Sequence, residues 1–448
     1  MKILGNGIVI TLDNTLGVLQ NGAIAYKNDK IIQVGNTTEI RATYPTAEYT
    51  DVGGKIIMPG LTNTHTHIYS AMARGMFLNN AKVSRNFNEV LENLWWKMDR
   101  ALTLDDVRYS AYHTYMEGIR FGVTTVFDHH ASFRPGAVLG SLEELAQAEK
   151  KLGVRTSLCF EVSDRNGPER SRESIEENIR CIKAVQAEGN PLLGAMFGLH
   201  ASFTVAEDTM AQVAQAGHDL GVGFHVHTAE GSADAAHCKA TYGKPIVRRF
   251  YDHGLLGENS IAVHCIHIDE EEIALLRETG TVVVHNPESN MGNAVGCANV
   301  PKLLREGVLV GLGTDAYTQD MFESLKVANI LHKHQAGDPS ATGGEIQGLL
   351  LHNNRLIAGR HFKTPVGQLT PGAAADLVVV DYTPNTPIDS VNYTGHITFG
   401  FSGAMVSGTI IAGETVYWNR QFTRVDEEKI YAESRIHAKK LWQRLEAE

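Results

Sequence analysis

Eight apolar, strand-length runs recur along the chain, separated by segments whose apolar residues fall at helical intervals. The runs are Lys55–His67, Thr124–His129, Arg155–Val162, Leu192–His200, Gly221–Glu230, Ser260–His267, Thr281–Asn290 and Val308–Asp315. Their alternation with Leu104–Phe121, Glu143–Leu152, Arg172–Glu188, Ala206–Leu220 and Glu270–Arg277 is the pattern of βα units in a parallel sheet. Eight units fit a closed (β/α)8 barrel better than an open sheet. A chain of 448 residues exceeds the usual ceiling for one core unless a barrel forms the main domain, and a barrel leaves material for a smaller one.

The flanks predict that smaller domain. Gly7–Leu12, Gly22–Tyr26 and Lys30–Gly35 are short and β-rich, with Lys27-Asn28-Asp29 as a hairpin link between the last two. Three strands need partners to be stable. Ala375–Asp381 and Ala404–Tyr417, equally β-branched, supply them from the far end. The expected division is residues 1–56 as the first part of a discontinuous β-sandwich, 57–365 as the barrel, and 366–448 as the second part plus a surface helix over Asp426–Leu445.

In a parallel barrel the strand C-termini gather at one mouth. The residues delivered there are His65 and His67, Asp128 and His129, Glu161, His200, His225, His227 and Glu230, His264 and His267, His285 and Asn290, and Asp315. Packing alone does not collect imidazoles and carboxylates at one rim. His65 and His67, two apart on a strand, point to the same side, a metal-ligand arrangement. With 20 His in 448 residues, one His-x-His arises by chance roughly once, so the motif gains meaning from its position. Of the other two, His225/His227 ends the fifth run, whereas His332/His334 lies in a helix-like segment and is expected to face solvent.

A net charge of −11 gives no reason to bind nucleic acid or an anionic membrane. Five scattered cysteines without a C-x-x-C pair predict free thiols in a cytosol-like compartment. No signal peptide or membrane-spanning run is expected, so the reading is a soluble, cytoplasmic chain with a small-molecule partner.

Pro59-Gly60-Leu61 with Asn63-Thr64-His65-Thr66-His67, His227-Thr228-Ala229-Glu230, Val263-His264-Cys265, Asn286-Pro287-Glu288-Ser289-Asn290 and Gly313-Thr314-Asp315 resemble, in order, the signatures of the amidohydrolase superfamily. They are similar to its mononuclear aminohydrolase branch, which holds cytosine, guanine, adenosine-type and triazine deaminases. Leu94–Arg100 and Phe127–Ser132 resemble the SsnA group within it. The resemblance implies one divalent metal, zinc by default with iron(II) as the alternative, on His65, His67, His227 and Asp315. It implies Asp315 as acceptor of the water proton, Glu230 as proton donor to the ring nitrogen and His264 as the group that aligns attack. The fourth run lacks the lysine that binuclear relatives carbamylate, which favours a single metal.

Substrate contacts are expected from Trp95, Asp128, His200 and Asn290, each with a packing or capping role as the alternative. The implied reaction is deamination of a nitrogen heterocycle (purine, pterin, pyrimidine or triazine-like). Ring opening of a cyclic amide or ureide, triazine-type dechlorination and a non-catalytic scaffold stand beside it. Ile68-Tyr69-Ser70 replaces the Pro-Gln that guanine deaminases carry after the second histidine, which weighs against guanine. A homo-oligomer is implied by the resemblance alone.

Overall fold

The computed structural model describes residues 1–79 and 81–447. The first apolar run divides at Gly60: Ile56–Pro59 joins an outer sheet, while Leu61–Thr66 opens a barrel. A Cβ at residue 60 would come within 2.1 Å of Thr124 Oγ1, so glycine is what lets the backbone cross between the two sheets here.

After Leu61–Thr66 the barrel strands are Val123–Asp128, Arg155–Leu158, Leu193–Ala195 continuing as Phe197–Ala201, Phe224–Thr228, Ile261–His264, Val282–His285 and Val310–Leu312. Parallel ladders run through two arcs of four and five strands, broken at Met196. The isolated parallel bridges Val162–Leu199 and Thr66–Asp315 join the arcs. At the closing seam Thr314 and Asp315 donate backbone N–H to His65 O, and His67 N donates to Asp315 O. That seam sets the eighth strand end directly beside the first. Apart from Leu193–Ala195, every barrel-strand residue is buried, which is why the runs show no polar alternation.

The outer sheet has nine strands drawn from both flanks. Ile56–Pro59 pairs antiparallel with Leu377–Val380, with Pro59 opposite Leu377 and Ile56 opposite Val380. The N-terminal strands are not purely antiparallel, as their short links suggested. Lys2–Ile10 also pairs in parallel with Glu48–Asp51 and Ile56–Pro59, because the chain returns in the same direction after helix Thr37–Thr43. The C-terminal helix, Glu427–Ala447, docks on the barrel flank, where Trp442 Nε1 donates to Met72 O and Arg444 Nε to Ala101 O. Among the described residues no helix is long and apolar enough to cross a membrane.

Candidate metal centre and cleft

Barrel strands one, five, six and eight bring His65, His67, His227, His264 and Asp315 together at the mouth. Three of these strand ends turn into the left-handed region at residues that carry a Cβ: Ala229 (φ 49°), His264 (φ 73°) and Asp315 (φ 56°). Such conformations cost roughly 1–3 kcal/mol each and cluster at functional sites. Here they swing the side chains off the strand direction and into one cradle.

The hydrogen bonds fix what the imidazoles present. His67 Nδ1 donates to His129 O at 2.5 Å, and His227 Nδ1 donates to His200 O at 2.8 Å. With both N–H groups engaged, each Nε2 carries a lone pair. These two nitrogens face each other at 3.2 Å, with Asp315 Oδ1 also 3.2 Å from His67 Nε2. His65 Nδ1 lies 3.0 Å from His225 Nε2, and its own Nε2 is buried without a protein partner. The ligand atoms of His65, His67 and Asp315 fall within 4.8 Å of one another, as do those of His65, His227 and His264.

Converging lone pairs and a carboxylate demand a positive charge. Without a metal a proton supplies it: burial would push His67 down, but the hydrogen bond and charge of Asp315 outweigh it and raise His67 to about 9. Burial likewise works to raise Asp315, and the His67 proton overrides it, holding the carboxyl below its usual range. Imidazoles and one carboxylate suit a divalent transition ion with a position left open for water. The donor set therefore fits a divalent metal.

The remaining polar groups surround this cradle. Glu230 is buried, and desolvation followed by the nearby Asp315 charge pushes its carboxyl well above the ordinary range. His264 donates Nδ1–H to Asn290 Oδ1 at 2.8 Å, which turns Nε2 toward Glu230 Oε2 at 3.4 Å and Asp315 Oδ2 at 3.7 Å. Burial keeps His264 neutral by lowering its pKa. Ser289 donates to Asp315 Oδ2 at 2.6 Å.

Above the cradle lies a cleft of about 740 Å³ including its open mouth. Tyr69, Leu91, Trp95, Trp96, Phe203 and Tyr317 give it aromatic and apolar walls, and His200, Glu161, Arg165 and Glu230 add polar groups. Trp95 and His200 thus reach the cleft. Asp128 does not: its Oδ1 accepts from Ile68 N at 2.8 Å, bracing the turn after the first strand, and it is absent from the cleft wall. Asn290 is spent on His264 and also stays outside the wall. His332 is a further correction. Only 4 % exposed, it packs against His285 with ring centroids 4.9 Å apart, because helix Met321–Ala336 turns that face to the seventh strand. Glu161 sits 3.3 Å from His67 Nδ1 and 3.4 Å from His129 Nδ1, and burial raises it to about 7. The strand pattern placed Glu161 at the mouth but gave it no task. Arg165 and Tyr317 carried no sequence signal, because they sit on loops beyond the strand ends, and Ser289, on helix Pro287–Gly292, stood in the Asn286–Asn290 motif without a task.

The model of the amidohydrolase family matches residues 56–416. A 5'-deoxyadenosine deaminase of Methanosarcina acetivorans is 30% identical over 449 residues, covering 99% of both chains. A 5-methylthioadenosine/S-adenosylhomocysteine deaminase of Pelotomaculum thermopropionicum is 29% identical and covers 98% of each. Among solved structures, a zinc-bound adenosine deaminase from Xanthomonas campestris superposes with a TM-score of 0.86 at 24% identity over 98% of each chain. The chain belongs to the amidohydrolase family, in its aminohydrolase branch, and is a metal-dependent hydrolase of carbon–nitrogen bonds.

Proposed function

We propose that the protein deaminates an amino-substituted, purine-like heterocycle, with zinc held by His65, His67, His227 and Asp315. The relatives named as deaminases of adenosine-type compounds support this reading, as does the aromatic cleft over the cradle. The observation that carries it is Glu230: a buried carboxyl beside His264 and Asp315, whose hold on its proton burial and the Asp315 charge strengthen, is placed as a ring nitrogen needs a proton donor to be. The divalent ion supplies Lewis acidity that brings the pKa of water near 7.

The chain's own groups then divide the work. Asp315 takes a proton from the attacking water. His264, aligned by Asn290, accepts a hydrogen bond from that water through Nε2 and so orients it for attack. Glu230 gives its proton to the ring nitrogen beside the attacked carbon. Collapse restores the ring as a carbonyl compound and expels ammonia. Trp95 and Trp96 offer flat surfaces for the ring, and His200 offers a polar edge. The catalytic unit is residues 57–365, with 1–56 and 366–448 as its β-rich support. The free cysteines, four buried and one half-buried, suit a reducing, cytoplasmic setting.

The test is ammonia release from purines, pterins, pyrimidines, triazines and cyclic ureides by zinc-loaded protein, with ring absorbance followed in parallel. Ammonia with an intact ring is the expected result. Ring opening without ammonia, or chloride release alone, overturns the assignment.

A further inference from the structure

The two oxygens of Asp315 face different neighbours. Oδ1 lies 3.2 Å from His67 Nε2, among the atoms that would hold the metal. Oδ2 lies 3.7 Å from His264 Nε2, on the side of the groups that align and move protons. A carboxylate does not make that distinction by itself: its oxygens are equivalent, and a half-turn about the Cβ–Cγ bond exchanges them.

Ser289 makes it. Only 1% exposed, it donates to Oδ2 at 2.6 Å, a charge-assisted hydrogen bond of the short, strong kind. Asn293 donates Nδ2–H to Ser289 Oγ at 3.2 Å, which occupies an acceptor site of the hydroxyl and leaves its proton for Asp315. Residues four apart on a helix share a face. Asn293 caps helix Pro287–Gly292, and its backbone N–H closes the last turn on Ser289 O at 2.8 Å. At the other end of the bond, the Asp315 backbone N–H is tied to His65 O. The two partners are therefore anchored separately, one after the seventh strand and one at the end of the eighth, and the bond between them sets the twist of the carboxylate. Ser289 and Asn293 both line the cleft.

We propose that Ser289, held by Asn293, is a positioning residue that divides Asp315, leaving Oδ1 to the metal and keeping Oδ2 off it to take the proton of the attacking water. As that O–H bond breaks, the water oxygen keeps the electron pair for the ring carbon. The task of Oδ2 rests on the aminohydrolase reading above, whereas the division of the carboxylate does not.

S289A is the test, on folded protein of full metal content. Without the hydroxyl the carboxylate turns both oxygens to the ion, which raises the coordination number. Cobalt(II)-loaded S289A is therefore expected to absorb more weakly in the visible than cobalt(II)-loaded wild type, because the bands fade as ligands are added to a tetrahedral ion. On zinc-loaded protein kcat is expected to fall roughly ten- to a hundredfold, the loss that misplacing a reacting group brings, with KM changed less. S289T, which keeps the hydroxyl, is expected to recover most of both. An unchanged cobalt spectrum overturns the proposal even where kcat falls, since a merely structural loss leaves the ligand count alone. A kcat within twofold of wild type overturns it as well. If wild type releases ammonia from no compound while the S289A spectrum changes as expected, the aminohydrolase reading fails and the division of Asp315 stands.

Discussion

His225 never reaches the cradle directly, yet the chain of hydrogen bonds behind it makes a quantitative prediction. Cys159 Sγ donates to Asp128 O at 3.3 Å, leaving a sulfur lone pair 3.7 Å from His225 Nδ1. His225 therefore keeps its proton on Nδ1 and presents a bare Nε2 to His65 Nδ1 at 3.0 Å. That in turn places the lone pair of His65 on Nε2, the atom that faces the other ligands. Burial, with the His67 charge second, holds His225 down to about 3, so it stays neutral and the relay keeps its direction. His225→Ala removes the acceptor and leaves a buried N–H on His65 unpaired. Such a loss costs roughly 1–3 kcal/mol, which agrees with the 10–100-fold loss of metal affinity typical of groups that orient a ligand. H225Q restores an acceptor near the position of Nε2 and is expected to recover most of that loss. Zinc dissociation constants by competition with a fluorescent chelator, on folded protein checked by circular dichroism, decide the matter. If H225A binds zinc within twofold of wild type, or if H225Q is as weak as H225A, the relay does not set the tautomer of His65.

Four further outcomes follow from the same geometry. E230Q is expected to keep its zinc by elemental analysis while losing roughly a hundredfold or more in kcat, because it retains shape without a transferable proton. N290A frees His264 to rotate and is expected to lower kcat by about tenfold with KM little changed, measured in steady state on the best substrate. Glu149 is buried with neither oxygen partnered, and desolvation raises it to about 8 from 4.5; its folded pKa lies above the unfolded one, so the stability it allows is complete below about pH 4.5 and is lost on raising the pH through 8, at up to about 1.4 kcal/mol per unit. E149Q should flatten that slope in urea unfolding curves taken between pH 6 and 9. G60A puts a methyl group 2.1 Å from Thr124 Oγ1 and is expected to destabilise by about 1–3 kcal/mol in the same assay.

Strand-borne residues were the legible part of this molecule. A period of two puts His65 and His67 on one side, and apolar runs ending in His227, His264 or Asp315 announce a barrel rim, because both signals are written along a single strand. What spacing leaves out is anything settled between elements. The run Lys55–His67 reads as one strand, and its division at Gly60 depends on a contact with Thr124 that only the folded state contains. Asp128 sits at a strand end like the ligands, but its carboxylate turns to the Ile68 amide, a choice made by the turn that packs over it. His332 reads as solvent-facing until the seventh strand covers it.

The same division bears on how far relatives can guide the search for a substrate. Five strand-end residues hold the cradle, and a chain that keeps them keeps the chemistry of water attack whatever ring it admits. The cleft walls, by contrast, are built by groups on loops and on the short helices above the mouth: Trp95 and Trp96 before the second strand, Arg165 after the third, Phe203 after the fourth and Tyr317 after the eighth. Such segments vary independently of the strands that carry them. At 30% identity a relative can differ at any of these wall positions. Substrate panels for this protein should therefore span several ring types and not follow the names of its relatives alone.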